Sequence, residues 1–71
     1  MHPSMHPSTE ALLGFFEYEH LPVHLQATSR PFCELAHEIA GRFEGPEVTA
    51  GLRKLLEAKD CIVRAALGSK L

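Results

Sequence analysis

The sequence is short of the devices that hold small chains together. It has two cysteines, Cys33 and Cys61, each inside a helical apolar pattern, and no signal-peptide pattern at its start. Disulfide frameworks belong to cysteine-rich chains in oxidising compartments, so both are expected as buried thiols in a reducing cytoplasm. Neither belongs to a C-x-x-C pair and the five histidines complete no zinc spacing, so neither a structural metal nor a cofactor is expected. No run approaches the about 18 apolar residues that argue for a membrane span, and there is no basic amphipathic face for surface anchoring, so no membrane partner is expected. There is no glycine-rich phosphate loop, and no Cys or Ser stands beside a base oriented by a third group. Cys33 and His37 lie one turn apart, but two helices offer no cleft to exclude water, and the chain is expected not to be an enzyme.

Size and charge are more informative. A chain of 71 residues buries only about 60% of its unfolded surface, which leaves one core marginal, and self-association is the simplest remedy. The net charge of −2 is unevenly spread: residues 1–47 carry seven acids and two bases (−5), residues 48–71 two acids and five bases (+3). That split argues against duplex nucleic acid, which wants a broadly cationic face. It leaves room for a small anionic ligand, or for the acidic part of one protomer meeting the basic part of another.

The opening Met-His-Pro-Ser-Met-His-Pro-Ser is a tandem repeat without apolar periodicity. Residues 1–10 are therefore expected to be a flexible segment and 11–71 a single helical domain. Ala11, Leu12 and Leu13 suggest a helical turn ending at Gly14, then an extended aromatic segment up to Pro22, whose ring disfavours helix at Leu21. A helix is expected from about Val23 to Phe43, with Leu25, Phe32, Leu35, Ala36, Ile39 and Phe43 on its apolar stripe. Pro31 either kinks it or splits it, with Thr28 or Ser29 capping a second piece; the unbroken phase from Leu25 to Phe32 favours the kink.

Glu44-Gly45-Pro46 reads as a turn. It leads to a last helix reaching about Leu67, with Gly68 as its stop and Val48, Leu52, Leu55, Leu56, Ile62, Val63 and Ala66 as its stripe. Asp60 and Arg64 stand in the favourable i,i+4 order for a surface pair. The expected fold is all-α: an antiparallel helical hairpin with a short N-terminal aromatic segment. The last helix is apolar over more of its girth than one partner can cover, since Leu55 and Leu56, and again Ile62 and Val63, are neighbours. The surplus points to a homo-oligomer.

Two features carry possible chemistry. In Phe16-Glu17-Tyr18-Glu19-His20 an aromatic face could stack on a base while Glu17 or Glu19 accepts from an exocyclic amine; the plainer reading is that Phe15 and Phe16 staple this segment to the helices. His20 and His24 are four apart, but Pro22 between them removes helical geometry. The second feature is the run of Arg53, Lys54, Lys59 and Arg64, with Arg30 on the first long helix. A solvated surface explains these side chains, yet in an oligomer Arg30 or Lys59 of one chain could approach the aromatic segment of another and offer donors to a phosphate.

The stretches Phe16-Glu17-Tyr18, His20 to Pro22, Glu34-Leu35-Ala36 and Leu52-Arg53-Lys54-Leu55-Leu56-Glu57-Ala58 together resemble the phage anti-CBASS nucleotide-sponge family, over roughly residues 16–67. The resemblance implies a small helical protein that assembles as a hexamer in the cytoplasm of a bacterial host. It would capture cyclic dinucleotides between protomers, in some members cyclic trinucleotides elsewhere, and silence defence signalling without cleaving the ligand. It further implies that Tyr18 stacks on a nucleobase and that a basic side chain of the first long helix reaches a phosphate. Three departures stand out: Glu19 is an extra residue between Tyr18 and His20, the first long helix offers only Arg30 and Arg42, and Lys59-Asp60-Cys61 replaces a more apolar stretch. The ligand-binding set expected on these grounds is Phe16, Glu17, Tyr18, His20, Arg30, Lys59 and Arg64. The rival expectation is a helical adaptor or inhibitor that docks on a host protein through its spare apolar face.

Overall fold

The computed structural model describes residues 5–68 and is all-helical: α1 spans Pro7–Gly14, α2 Val23–Arg42 and α3 Pro46–Gly68. α1 begins inside the second half of the tandem repeat. His6 is its N-cap, the imidazole Nδ1 accepting from the Ser8 N–H at 3.0 Å, and Pro7 takes the first helical position, where its missing N–H costs nothing. Thr9 is buried and its hydroxyl lies 3.4 Å from that of Thr49 on α3. The expected flexible segment of residues 1–10 is thus corrected for 5–10; residues 1–4 lie outside the described residues.

The segment after α1 is not extended. The Phe15, Phe16 and Glu17 N–H groups donate to Leu12, Leu13 and Gly14, and Leu21 N–H to Tyr18. Two successive turns fold the chain back, and the Gln26 amide clamps the second by donating to the Leu21 and Glu19 carbonyls. Between α2 and α3 the turn is made by Gly45 at φ 118°, a region that only glycine enters without steric cost.

Pro31 sits inside an unbroken α2. Both Pro31 and Ala27, whose carbonyl the proline leaves without its helical donor, are exposed, so water can satisfy that carbonyl. The buried stripe of α2 keeps Leu25 and Ala36 of the expected set and adds Ser29, Cys33 and Ala40. Leu35 and Phe43 are exposed, at 44% and 55%, and Phe32 and Ile39 are half-buried. The cause is α1, which brings Leu12, Leu13 and Phe16 against α2 and α3. Those bulky side chains need small neighbours, and cysteine and the alanines supply them.

Ser29 is 1% exposed and its hydroxyl lacks a hydrogen-bond partner, the one such buried side-chain atom among the described residues. A buried donor left unmade is unfavourable. Ser29→Ala is therefore expected to be neutral, or to stabilise by up to about 1 kcal/mol; a clear fall in the urea midpoint would contradict this.

Candidate functional site

Of the expected ligand set, Phe16 shares a core cluster with Cys33, Tyr18 packs against that cluster, and Lys59 reaches the turn after α1. Tyr18 is half-buried and packs on the core, whereas Glu17 and His20 are exposed. Phe16 is fully buried, so its ring has no free face for a base; it is a core residue, as the stapling reading had it. Its neighbour Phe15 is 64% exposed.

The cations are less free than their positions in the sequence suggest. Arg30 Nε donates to Glu34 Oε2 at 2.9 Å, and its guanidinium pKa is raised, chiefly by that hydrogen bond. Lys59 crosses to the turn after α1, donating from Nζ to the Phe15 carbonyl at 3.1 Å, with Asp60 Oδ1 at 3.2 Å and a side chain only 12% exposed. It therefore meets the aromatic segment of its own chain. Arg64 contacts Cys61 Sγ at 3.4 Å instead of forming the expected pair with Asp60. Phosphate donors at this end would come from Arg30, which is 63% exposed and held by one surface carboxylate. His20 and His24 are both exposed, and among the described residues no three His, Cys, Asp or Glu side chains cluster as metal ligands.

The two cysteines differ. Cys61 is exposed, correcting the expectation that both are buried, while Cys33 is buried. Burial first, and then Glu34, Glu17 and Glu19, push the Cys33 thiol up from its ordinary value, with Lys59 opposing. The thiol form is the one folding favours, so its contribution to stability is complete below the ordinary thiol pKa and is lost as pH rises through the raised value. At pH 8 a maleimide is expected to label Cys61 promptly and Cys33 only after unfolding; equal rates in the native protein would overturn the assignment.

A cleft of about 600 Å³ lies at the other end of α1, lined by Met5, His6, Thr9, Arg42, Phe43 and Thr49 among others. Arg42 lies 5.2 Å from the Phe43 ring centroid and donates to Glu38 Oε2 at 3.2 Å. None of the residues expected to bind ligand lines it. The sequence carries no local sign of this cleft, because it forms only when α1 crosses the α2–α3 turn. The chain matches no family model, no curated protein and no solved structure.

Proposed function

We propose that this chain is a homo-oligomeric binding protein, built on an antiparallel helical hairpin, that captures a cyclic di- or trinucleotide and sequesters it without cleavage. In the manner of the phage sponges it resembles, it would act as an immune-evasion protein in the bacterial cytoplasm. The observation that carries the reading is the Tyr18 ring, half-buried against the core, with Arg30 and Glu17 both exposed to solvent. An aromatic ring fixed by the core offers a stacking platform at low entropic cost, the guanidinium can meet a phosphate, and the carboxylate can accept from a base amine. Sequestration asks for no nucleophile and no base.

Calorimetric titration with a panel of cyclic di- and trinucleotides, with ligand recovered afterwards, tests this. Stacking contributes about 1–3 kcal/mol per base, so Tyr18→Ala is expected to weaken binding by about 5- to 150-fold while leaving the fold intact. Loss of binding in Arg42→Ala with Tyr18→Ala unaffected would move the site to the cleft at the start of α1. Absence of heat with every ligand would sink the nucleotide reading.

The exposed Leu35, Phe43 and Ile62 favour a second reading, an adaptor or inhibitor that docks on a host protein through its apolar helix face. Such a protein would remain small and ligand-free until its partner arrives.

A further inference from the structure

We propose that the cleft at the start of α1 is a second binding site, separate from the Tyr18 surface, and that it takes a monocarboxylate with an apolar body. The carboxylate sits on the Thr9 and Thr49 hydroxyls beside the Arg42 guanidinium. This site goes beyond the function proposed above and does not depend on it.

The cleft holds about 600 Å³, within the about 300–1,000 Å³ usual for small-molecule sites. Segments far apart in the chain build it: the start of α1, the last turn of α2 and the first turn of α3. Met5, Ala40, Phe43 and Pro46 give it apolar wall, and the Phe43 ring is 55% exposed. An apolar wall with a few polar groups converging on it is the usual make-up of a ligand site.

Thr9 is the telling residue. It is only 7% exposed, yet its hydroxyl has a single side-chain partner among the described residues, the Thr49 hydroxyl at 3.4 Å. Hydroxyl pairs that bond well close to about 2.7–2.8 Å. Both side chains line the cleft, so a polar group more than nine-tenths buried stands there poorly satisfied, where native structures normally supply a proper partner. One carboxylate oxygen set in front of the pair can accept from both hydroxyls at ordinary lengths.

The other polar groups select the charge. His6 accepts the Ser8 N–H at Nδ1, so the neutral ring carries its proton on Nε2 and adds a donor to the lining, as the Ser8 hydroxyl does. Arg42 is tied only to Glu38, at 3.2 Å, in a pair whose side chains are 64% and 59% exposed. Such a pair is weak and exchanges readily for another carboxylate. The guanidinium also lies 5.2 Å from the Phe43 ring centroid, which sets the charged and the apolar partner of the ligand side by side. Glu44 is the one carboxylate of the lining. With one guanidinium against it, a single negative charge on the ligand is tolerated, while a phosphate dianion meets repulsion.

Calorimetric titration with 4-phenylbutyrate, with its neutral amide 4-phenylbutyramide and with inorganic phosphate tests the site. The carboxylate is expected to bind with a Kd of about 1 mM or tighter, the amide at least about tenfold more weakly, and phosphate not measurably. Thr49→Val and Arg42→Gln are each expected to weaken 4-phenylbutyrate at least about tenfold with helix content by circular dichroism unchanged. Thr49→Ser, which keeps the hydroxyl, and Tyr18→Ala are expected to bind like the parent. No binding up to about 10 mM, or an amide or phosphate that binds as well as the carboxylate, would overturn the proposal. So would full affinity in folded Thr49→Val and Arg42→Gln, or a loss in Tyr18→Ala, since either places the ligand elsewhere. Cyclic nucleotides take no part in these titrations, so their failure to bind sinks the Tyr18 reading alone.

Discussion

Phe16→Ala is expected to destabilise the protein by about 3–5 kcal/mol, enough to abolish the folded state at physiological temperature. Phe16 is 0% exposed and sits where α1, α2 and α3 meet, in one cluster with Leu12, Leu13, Cys33, Ala36, Ala40 and Leu52. Its truncation removes the largest side chain of that core, and the cavity cannot close by repacking because the α2 neighbours are already small. A domain of this length is expected to have only about 4–10 kcal/mol in total. Phe15→Ala, one residue away and 64% exposed, is expected to change stability by no more than about 0.5 kcal/mol, since Lys59 contacts its backbone carbonyl rather than its ring. Urea denaturation of the two variants at one protein concentration checks the pair; similar losses in both would mean that the aromatic segment does not pack as described. The contrast also guards the functional test, because loss of ligand binding in a Phe16 variant would report unfolding, whereas loss in Tyr18→Ala would report the site.

Leu52→Ala is the second large effect, expected at about 2–5 kcal/mol. Leu52 is the one residue of α3 that is fully buried, the rest of its inward stripe being half-buried. The hold of α3 on the rest of the fold therefore concentrates at a single side chain. Leucine and alanine have similar helix propensity, so the loss would be packing and cavity rather than helix formation. Leu67→Ala, 61% exposed on the same helix, is the control and is expected to be within about 0.5 kcal/mol of the parent. A Leu52→Ala variant as stable as Leu67→Ala would show that α3 is held by other contacts, those of an oligomer first among them.

Much of the architecture could be read from local chemistry. Gly45-Pro46 announces its turn because one residue tolerates positive φ and the other suits a helix start. The bounds of α2 and the start of α3 follow from Pro22 and that turn. The unbroken phase across Pro31 was a sound guide to a continuous helix. His6-Pro7-Ser8 was harder to read. A repeat suggested flexibility, yet its second copy supplies an N-cap and a first-turn proline, roles that exist only because a helix of Thr9 to Gly14 continues from it.

The candidate site was legible in part. Tyr18 is half-buried against the core and Arg30 is exposed, positions open to a stacking ring and a surface cation. Phe16 was not distinguishable from Phe15 by type or neighbourhood, since two adjacent phenylalanines differ only in which way a turn points them. Lys59 and Arg64 read as free cations because nothing local foretells a bond from Lys59 to the carbonyl of Phe15, 44 residues earlier.

By itself the sequence determined the helical class and the two long elements, because propensity, periodicity and turn chemistry act over a few residues. Only the tertiary structure decided which flank of α2 is core, which phenylalanine is buried and where the clefts lie. Those outcomes depend on how α1 crosses the other two helices, a contact between residues far apart in the chain whose geometry is set by the fit of large side chains against small ones.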